Sequence, residues 1–138
     1  MLTGLLVVPL TVILLAANAP AAATPPADAA PATGFLYKSI EIDGEKYAYC
    51  VFVPPSYRPN RATPCILFLH GSGERGNDGF KQTDVGIGRA LRRAHSRFPG
   101  IVVMPQCRSD DMWWSPKMTQ MVSQIMQATN AEYNLDRD

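Results

Sequence analysis

The chain has 138 residues, of which 46% are hydrophobic and 18% are charged, and its formal net charge at pH 7 is +1. This length and composition are enough for one small globular unit. A charge so close to neutral gives no electrostatic reason to propose nucleic acid or an anionic membrane as a partner.

The first residues predict export. Residues 1–23 carry no charged side chain, and the apolar run over residues 5–17 is too short for a comfortable membrane span. Small residues at A-x-A spacing follow it, which is typical of a signal peptide cut after Ala23. We therefore expect a secreted or periplasmic protein that keeps no stable membrane span once the leader is removed.

A linker is expected between the leader and the folded part of the chain. Residues 24–34 are rich in alanine and proline and lack material for a core. The folded domain is expected over residues 35–138. It should open with an antiparallel pair of strands, because Asp43-Gly44 is a strong hairpin signal between two stretches suited to strands.

The next elements predict a strand, a helix and a second strand. Cys65–Leu69 is an uninterrupted apolar run, which favours a strand buried on both faces in the middle of a parallel sheet. A helical pattern covers residues 85–98, and Pro99-Gly100 ends it. Ile101–Met104 is the second buried strand, so the three elements predict one βαβ unit. A last helix is expected from Pro116.

Arginines recur on the first of these helices at four-residue spacing, at positions 89, 93 and 97, with Arg92 alongside. A basic stripe of this kind is more typical of a solvated helix face than of an anion site.

The turn after the first parallel strand is the main candidate for function, since open α/β sheets place their chemistry beyond the carboxyl ends of strands. Residues 71–76 match G-x-G-x-x-G, the dinucleotide-binding fingerprint. That motif requires a helix that starts within the glycines, whereas residues 77–82 have poor helix propensity. Glu74 would also lie beside the diphosphate. A nucleotide-binding α/β domain is therefore the less favoured alternative.

Three motifs occur in order along the chain: His70-Gly71-Ser72-Gly73-Glu74-Arg75-Gly76-Asn77-Asp78, Pro105-Gln106-Cys107, and Trp113-Trp114. Together they resemble the secreted esterase and predicted-peptidase branch of the α/β-hydrolase superfamily. That branch includes feruloyl-esterase-like, polyhydroxybutyrate-depolymerase-like and prolyl-oligopeptidase-like proteins. The resemblance covers residues 35–138 and implies the N-terminal part of an α/β-hydrolase fold, with a hairpin leading into a parallel sheet that has crossover helices.

The resemblance also implies roles for the glycine turn. A strand running into His-Gly-x-Gly supplies one donor of the oxyanion hole in α/β-hydrolases. The backbone N–H of Ser72 is the candidate donor, and Gly71 and Gly73 shape the turn. His70 is expected to fix the loop by hydrogen bonding rather than to act as a base.

The neighbouring residues have expected roles in structure and substrate binding. Glu74 and Arg75 are expected to hold the loop through a salt bridge or hydrogen bonds. Trp113 and Trp114 either line a substrate pocket or pack over the end of the sheet, and the sequence favours neither.

The chain contains no serine in a G-x-S-x-G elbow, the pattern that carries the nucleophile in α/β-hydrolases. We therefore interpret it as an N-terminal fragment of a serine hydrolase, truncated before the nucleophile strand and inactive alone. The substrate could be a small or polymeric ester or a peptide, and the oligomeric state is left open. A non-catalytic secreted binding module is the alternative.

The three cysteines, at positions 50, 65 and 107, are an odd number for a chain that enters an oxidising compartment. Any one pair could form a disulfide. Their spacing does not match a metal site, so neither a metal nor another cofactor is expected.

Overall fold

The structure is a computed structural model that describes residues 31–136, so the predicted signal peptide and most of the predicted linker lie outside the described residues. Four strands form one sheet: β1 (Gly34–Ile42), β2 (Glu45–Val53), β3 (Cys65–Leu67) and β4 (Ile101–Pro105). The two α-helices are α1 (Gly86–Ala94) and α2 (Pro116–Glu132). Short 3-10 turns occupy Ser72–Glu74, Lys81–Thr83 and His95–Arg97. The first strand thus begins one residue before the expected start of the domain.

The predicted hairpin is confirmed. Strands β1 and β2 pair along their whole length, from Gly34 opposite Val53 to Ile42 opposite Glu45. The two residues between them, Asp43 and Gly44, have φ angles of 52° and 77°. Positive φ at both central positions matches the right-handed twist of the flanking strands, which is why Asp-Gly favours this turn.

The strands lie in the order β1-β2-β4-β3. Strand β4 pairs antiparallel with β2 and parallel with β3. Because α1 lies between the two parallel strands in the chain, β3, α1 and β4 form the predicted βαβ unit. The parallel pairing brings the loops that follow β3 and β4 to the same edge of the sheet.

The sheet is covered by helices on both faces. On one face, Met118, Met121 and Ile125 of α2 pack in a cluster with alternate residues of β2 and β4. On the other face, Leu91 of α1 packs with Phe52 and their neighbours. Helix α2 begins as the sequence predicts, with Pro116 in its first turn and the Ser115 side chain accepting the backbone N–H of Met118 at 3.2 Å. Within residues 31–136, neither helix has the length and apolar character to cross a membrane.

The prediction for β3 is wrong in extent and in burial. The strand ends at Leu67 rather than Leu69, and none of its residues is fully buried; Ile66 is 41% exposed. The physical reason is its place in the sheet order. In the sheet formed by residues 31–136, strand β3 is at an edge, where it has one neighbouring strand instead of the two that a central strand has.

Candidate active-site loops at the sheet edge

Two loops meet beyond the carboxyl ends of the parallel strands and enclose a cavity of about 340 Å³. The glycine loop, residues 70–80, follows β3, and the tryptophan loop, residues 106–114, follows β4. The cavity is lined by His70, Gly71, Ser72, Arg75, Cys107, Asp111, Met112, Trp113 and Trp114. The structure therefore brings most of the sequence-predicted site residues to one place.

His70 connects the two loops and is almost completely buried. Its Nε2 accepts the backbone N–H of Cys107 at 3.0 Å, and its Nδ1 lies 2.6 Å from the carbonyl oxygen of Gly71. Since an amide N–H only donates and a carbonyl only accepts, the ring must be neutral with its proton on Nδ1. Burial lowers the pKa of His70 below its ordinary value, which favours this neutral form. With both nitrogens engaged, the imidazole has no free lone pair with which to accept a proton.

The two tryptophans have different environments although they are adjacent in sequence. The indole Nε1 of Trp113 donates to the carbonyl oxygen of His70 at 2.9 Å, and its ring meets the imidazole edge-on at 4.9 Å between centroids. Trp113 also packs against the α2 side of the core. Trp114 is 78% exposed. Trp113 thus both lines the cavity and packs over the sheet end, while Trp114 forms an open apolar wall.

Ser72 begins the 3-10 turn at the rim of the cavity. Gly71 precedes it in an extended conformation, with φ −77° and ψ −176°. Among the hydrogen bonds of residues 31–136, the backbone N–H of Ser72 has no acceptor, as expected for the first residue of a helical turn. A Cβ added at Gly73 would meet no atom within 4 Å, so the space beside this turn is open and packing does not require glycine at position 73.

Arg75 holds the turn through hydrogen bonds. Its Nε donates to the carbonyl oxygen of Ser72 at 3.3 Å, and its Nη1 donates to that of Asp111 at 3.2 Å. The side chain therefore connects the glycine loop to the tryptophan loop. Within the described residues, no salt bridge joins Glu74 to Arg75, and Glu74 contacts the tryptophan loop through its carbonyl oxygen.

Gln106 organises the glycine loop, a role that could not be predicted from its place in the Pro105-Gln106-Cys107 motif. Its side chain is buried, its Nε2 donates to the carbonyl oxygen of Glu74 at 3.0 Å, and its Oε1 accepts the backbone N–H of Gly79 at 2.7 Å. Next to it, the carbonyl oxygen of Cys107 accepts the backbone N–H of Gly76 at 2.8 Å. The available signal was a lone amide directly after a buried strand, where a polar side chain needs partners.

The cysteines are free thiols, and burial raises the pKa of each above its ordinary value. The pKa of Cys50 reaches about 12. Cys107 lines the cavity and donates weakly to the carbonyl oxygen of Asp111 at 3.4 Å. Since the thiolate is the nucleophilic form, none of these thiols is activated for attack.

Comparison with known proteins supports the fold. No protein-family model matches the chain, and no curated protein sequence matches it. Among solved structures, the chain is similar to one described as a thermostable esterase, with a TM-score of 0.63 and 30% sequence identity over 75% of the chain. The match covers 32% of that esterase, so it spans about a third of the esterase's length.

The chain therefore has a partial α/β-hydrolase fold, formed by an antiparallel hairpin and one parallel βαβ unit. The likeness to an esterase supports a hydrolase-like relationship in general.

Proposed function

We propose that the chain is the N-terminal part of a secreted serine hydrolase that cleaves a carboxylic ester or a peptide bond by acyl transfer. One observation carries the proposal. Among the hydrogen bonds of residues 31–136, the backbone N–H of Ser72 has no acceptor, and it lies at the rim of a cavity beyond the carboxyl ends of two parallel strands. The similar solved structure, an esterase, supports the same class of reaction.

In this proposal Ser72 contributes through its backbone. When a nucleophile attacks the substrate carbonyl, negative charge develops on the carbonyl oxygen, and fixed N–H donors stabilise it. The N–H of Ser72 is one such donor. The second donor, the nucleophilic serine, the acid and the base would come from residues beyond position 138. His70 is not the base, because its two nitrogens hold Gly71 and Cys107.

The surrounding contacts keep the donor in place. Arg75 fixes the carbonyl oxygen of Ser72, while Gln106 and His70 anchor the two sides of the loop. A donor held this way needs no reorganisation when charge develops, which is the source of its catalytic effect. Met112 and Trp114 would form the apolar wall for the acyl or leaving group.

The first experiment is to read the coding DNA past codon 138. A strand pattern followed by G-x-S-x-G, with an aspartate and a histidine further on, is expected. If the reading frame stops there, the chain has no nucleophile in recognisable form. The non-catalytic binding module would then replace the hydrolase.

A second experiment tests the donor directly, by removing the backbone N–H of residue 72 while keeping a small side chain there. In the polypeptide translated from the complete reading frame, Ser72→Pro deletes the N–H, and Ser72→Ala keeps it. Proline fits the first position of a helical turn, and an extended residue such as Gly71 can precede it. Ser72→Pro should lower kcat on 4-nitrophenyl acetate by about 10²–10³-fold, whereas Ser72→Ala should stay near wild type.

Two results would contradict the proposal. Equal activities of the proline and alanine variants, both folded by circular dichroism, would exclude the Ser72 N–H as a donor. Turnover by the isolated 138-residue chain that disappears in Ser72→Ala would instead make Ser72 the nucleophile. We expect the isolated chain to be inactive.

A further inference from the structure

A second cleft, separate from the active-site cavity, opens on the α1 face of the sheet beside the hairpin. Its volume is about 590 Å³, within the roughly 300–1,000 Å³ of small-molecule sites. We call it the hairpin cleft. The residues that shape it are Tyr37, Ser39, Lys46, Ala48, Phe80 and Arg108.

The wall of the hairpin cleft is a pair of aromatic rings. Tyr37 and Phe80 are stacked at 6.1 Å between centroids with an interplanar angle of 26°, and each is 50% exposed. Arg92 braces both rings. Its guanidinium lies 5.4 Å from the Phe80 centroid, and its Nη2 donates to the Tyr37 hydroxyl at 3.1 Å. An exposed aromatic surface that is held rigid in advance costs little entropy when a ligand stacks on it.

The floor of the hairpin cleft is made of small residues. Ser39 and Ala48 are directly paired on β1 and β2, and both line the cleft. Gly79 brings the wall against this floor: its φ is +70°, and a Cβ there would lie 2.9 Å from the Cβ of Ala48. The close approach of the two segments therefore requires glycine at position 79.

The cations at the cleft come from Lys46 and Arg108. The guanidinium of Arg108 donates to the Lys46 carbonyl oxygen at 2.6 Å, lies 4.5 Å from the centroid of the Tyr47 ring and forms a salt bridge with Glu45 at 3.7 Å, so its position is fixed and its charge is partly engaged. Within residues 31–136, the Lys46 ammonium has no carboxylate within 4 Å.

A second lysine, Lys38, also lines the cleft, but it forms a salt bridge with Glu132. The acidic residue of the cleft is also engaged. The Asp78 carboxylate accepts the backbone N–H groups of Phe80 at 2.7 Å and Lys81 at 2.9 Å. These contacts leave Lys46 as the cation available to a ligand.

We propose that the hairpin cleft binds a ligand that presents both a ring with an apolar face and a carboxylate. The ring stacks on the wall formed by Tyr37 and Phe80, and the carboxylate pairs with Lys46 near Arg108. Two sources share this chemistry: a uronic acid unit of an acidic polysaccharide, whose C–H face is apolar, and an aromatic acid. The binding does not depend on the proposed hydrolase activity, so the 138-residue chain itself can be tested.

The test is fluorescence anisotropy of an end-labelled trigalacturonate with the 138-residue chain at low salt, together with a separate calorimetric titration of 4-hydroxybenzoate into the same chain. Saturable binding is expected, with competition by unlabelled trigalacturonate or by 4-hydroxybenzoate showing which source binds more tightly. Neutral maltotriose has the rings without the carboxylate and should compete at least tenfold more weakly. No saturable binding of either acid, or equal competition by maltotriose, would overturn the proposal.

Matched variants locate the binding. Lys46→Gln should weaken binding roughly threefold to tenfold, the effect of one charge-assisted hydrogen bond. Arg93→Gln removes the same charge from an exposed position on α1 and should leave the affinity unchanged. Tyr37→Leu should weaken binding while Tyr37→Phe, which keeps the ring, should retain it. Equal effects of Lys46→Gln and Arg93→Gln would reduce the binding to nonspecific charge attraction and contradict the proposal.

Discussion

Strands β3 and β4 are parallel neighbours with similarly apolar sequences, and yet their environments differ. All five residues of β4 are buried, whereas no residue of β3 is fully buried. Strand β4 lies between β2 and β3, with a helix packed over each face of the sheet around it. Strand β3 has β4 on one side, and on the other the described residues provide a single parallel bridge, between Thr63 just before β3 and Leu135.

The difference shows that the burial of a strand depends on its place in the sheet as well as on its own residues. An apolar run predicts that a segment is suited to a buried strand. It does not tell how many neighbours the strand has, because the sheet order is set by distant parts of the chain. Four changes test this comparison, from the largest expected effect to the smallest.

The most direct test makes the same substitution in both strands. Ile101→Ala in β4 removes a fully buried side chain from the α2 side of the core and should lower the free energy of unfolding by about 2–5 kcal/mol. Ile66→Ala in β3 should cost about 1 kcal/mol or less, because that side chain is already partly in water. Urea unfolding monitored by circular dichroism measures both. Equal losses would show that β3 is as well packed as β4.

A second test extends the comparison into the loops, since the loop after β3 is held by residues that follow β4. Gln106→Leu would leave the buried N–H of Gly79 and the carbonyl oxygen of Glu74 without their partner. The expected loss is about 1–3 kcal/mol in the free energy of unfolding. Gln120→Leu on the exposed face of α2 is the control and should stay within about 0.5 kcal/mol of wild type. If Gln106→Leu left the free energy of unfolding unchanged, the glycine loop would not depend on Gln106 for its conformation.

The third test uses pH. Because burial lowers the pKa of His70, the unfolded chain binds a proton there more readily than the folded chain does. The contribution of neutral His70 to the free energy of unfolding is therefore fully present above about pH 6.5, the ordinary pKa of histidine. It is lost as the pH falls through the lower pKa that His70 has in the folded state. Protonation would also put an N–H on Nε2 facing the N–H of Cys107.

Urea midpoints between pH 8 and pH 5 measure this effect. His70→Asn should flatten the decline of the midpoint with falling pH relative to wild type. His95→Asn, at an exposed position after α1, should keep the wild-type profile. If the urea midpoint changed with pH in the same way for wild type, His70→Asn and His95→Asn, His70 would be excluded as the source of the pH dependence.

The smallest expected effect on stability comes from the open edge of β3. A strand edge that the described residues bridge only at Thr63, and that has exposed apolar side chains, favours association with another chain, so we expect the isolated protein to self-associate. Ile66→Lys should shift it toward monomer in size-exclusion chromatography, because a charge on an edge strand opposes pairing. A wild-type chain that elutes as a clean monomer would contradict both this expectation and the proposed truncation.

The parts of the fold that the sequence predicted correctly depend on local chemistry. Asp43-Gly44 specifies its own turn, and Ser115-Pro116 marks the start of α2. The prediction that β3 is buried was wrong, because the burial of a strand depends on the sheet order. At the site, the His-Gly-Ser-Gly motif located the loop correctly at the sheet edge. The role of Gln106 could not be predicted, because its partners, Glu74 and Gly79, are brought to it by the folding of another loop.

The different environments of Trp113 and Trp114 also mean that the intrinsic tryptophan fluorescence of the protein can report on the cavity. One indole is hydrogen-bonded and packed against the core, and the other is mostly exposed to water. Their fluorescence should therefore have two components, a blue component shielded from iodide quenching and a red component open to it. Anything that covers the cavity, whether a ligand or further polypeptide, would reach Trp114 first and remove the red component.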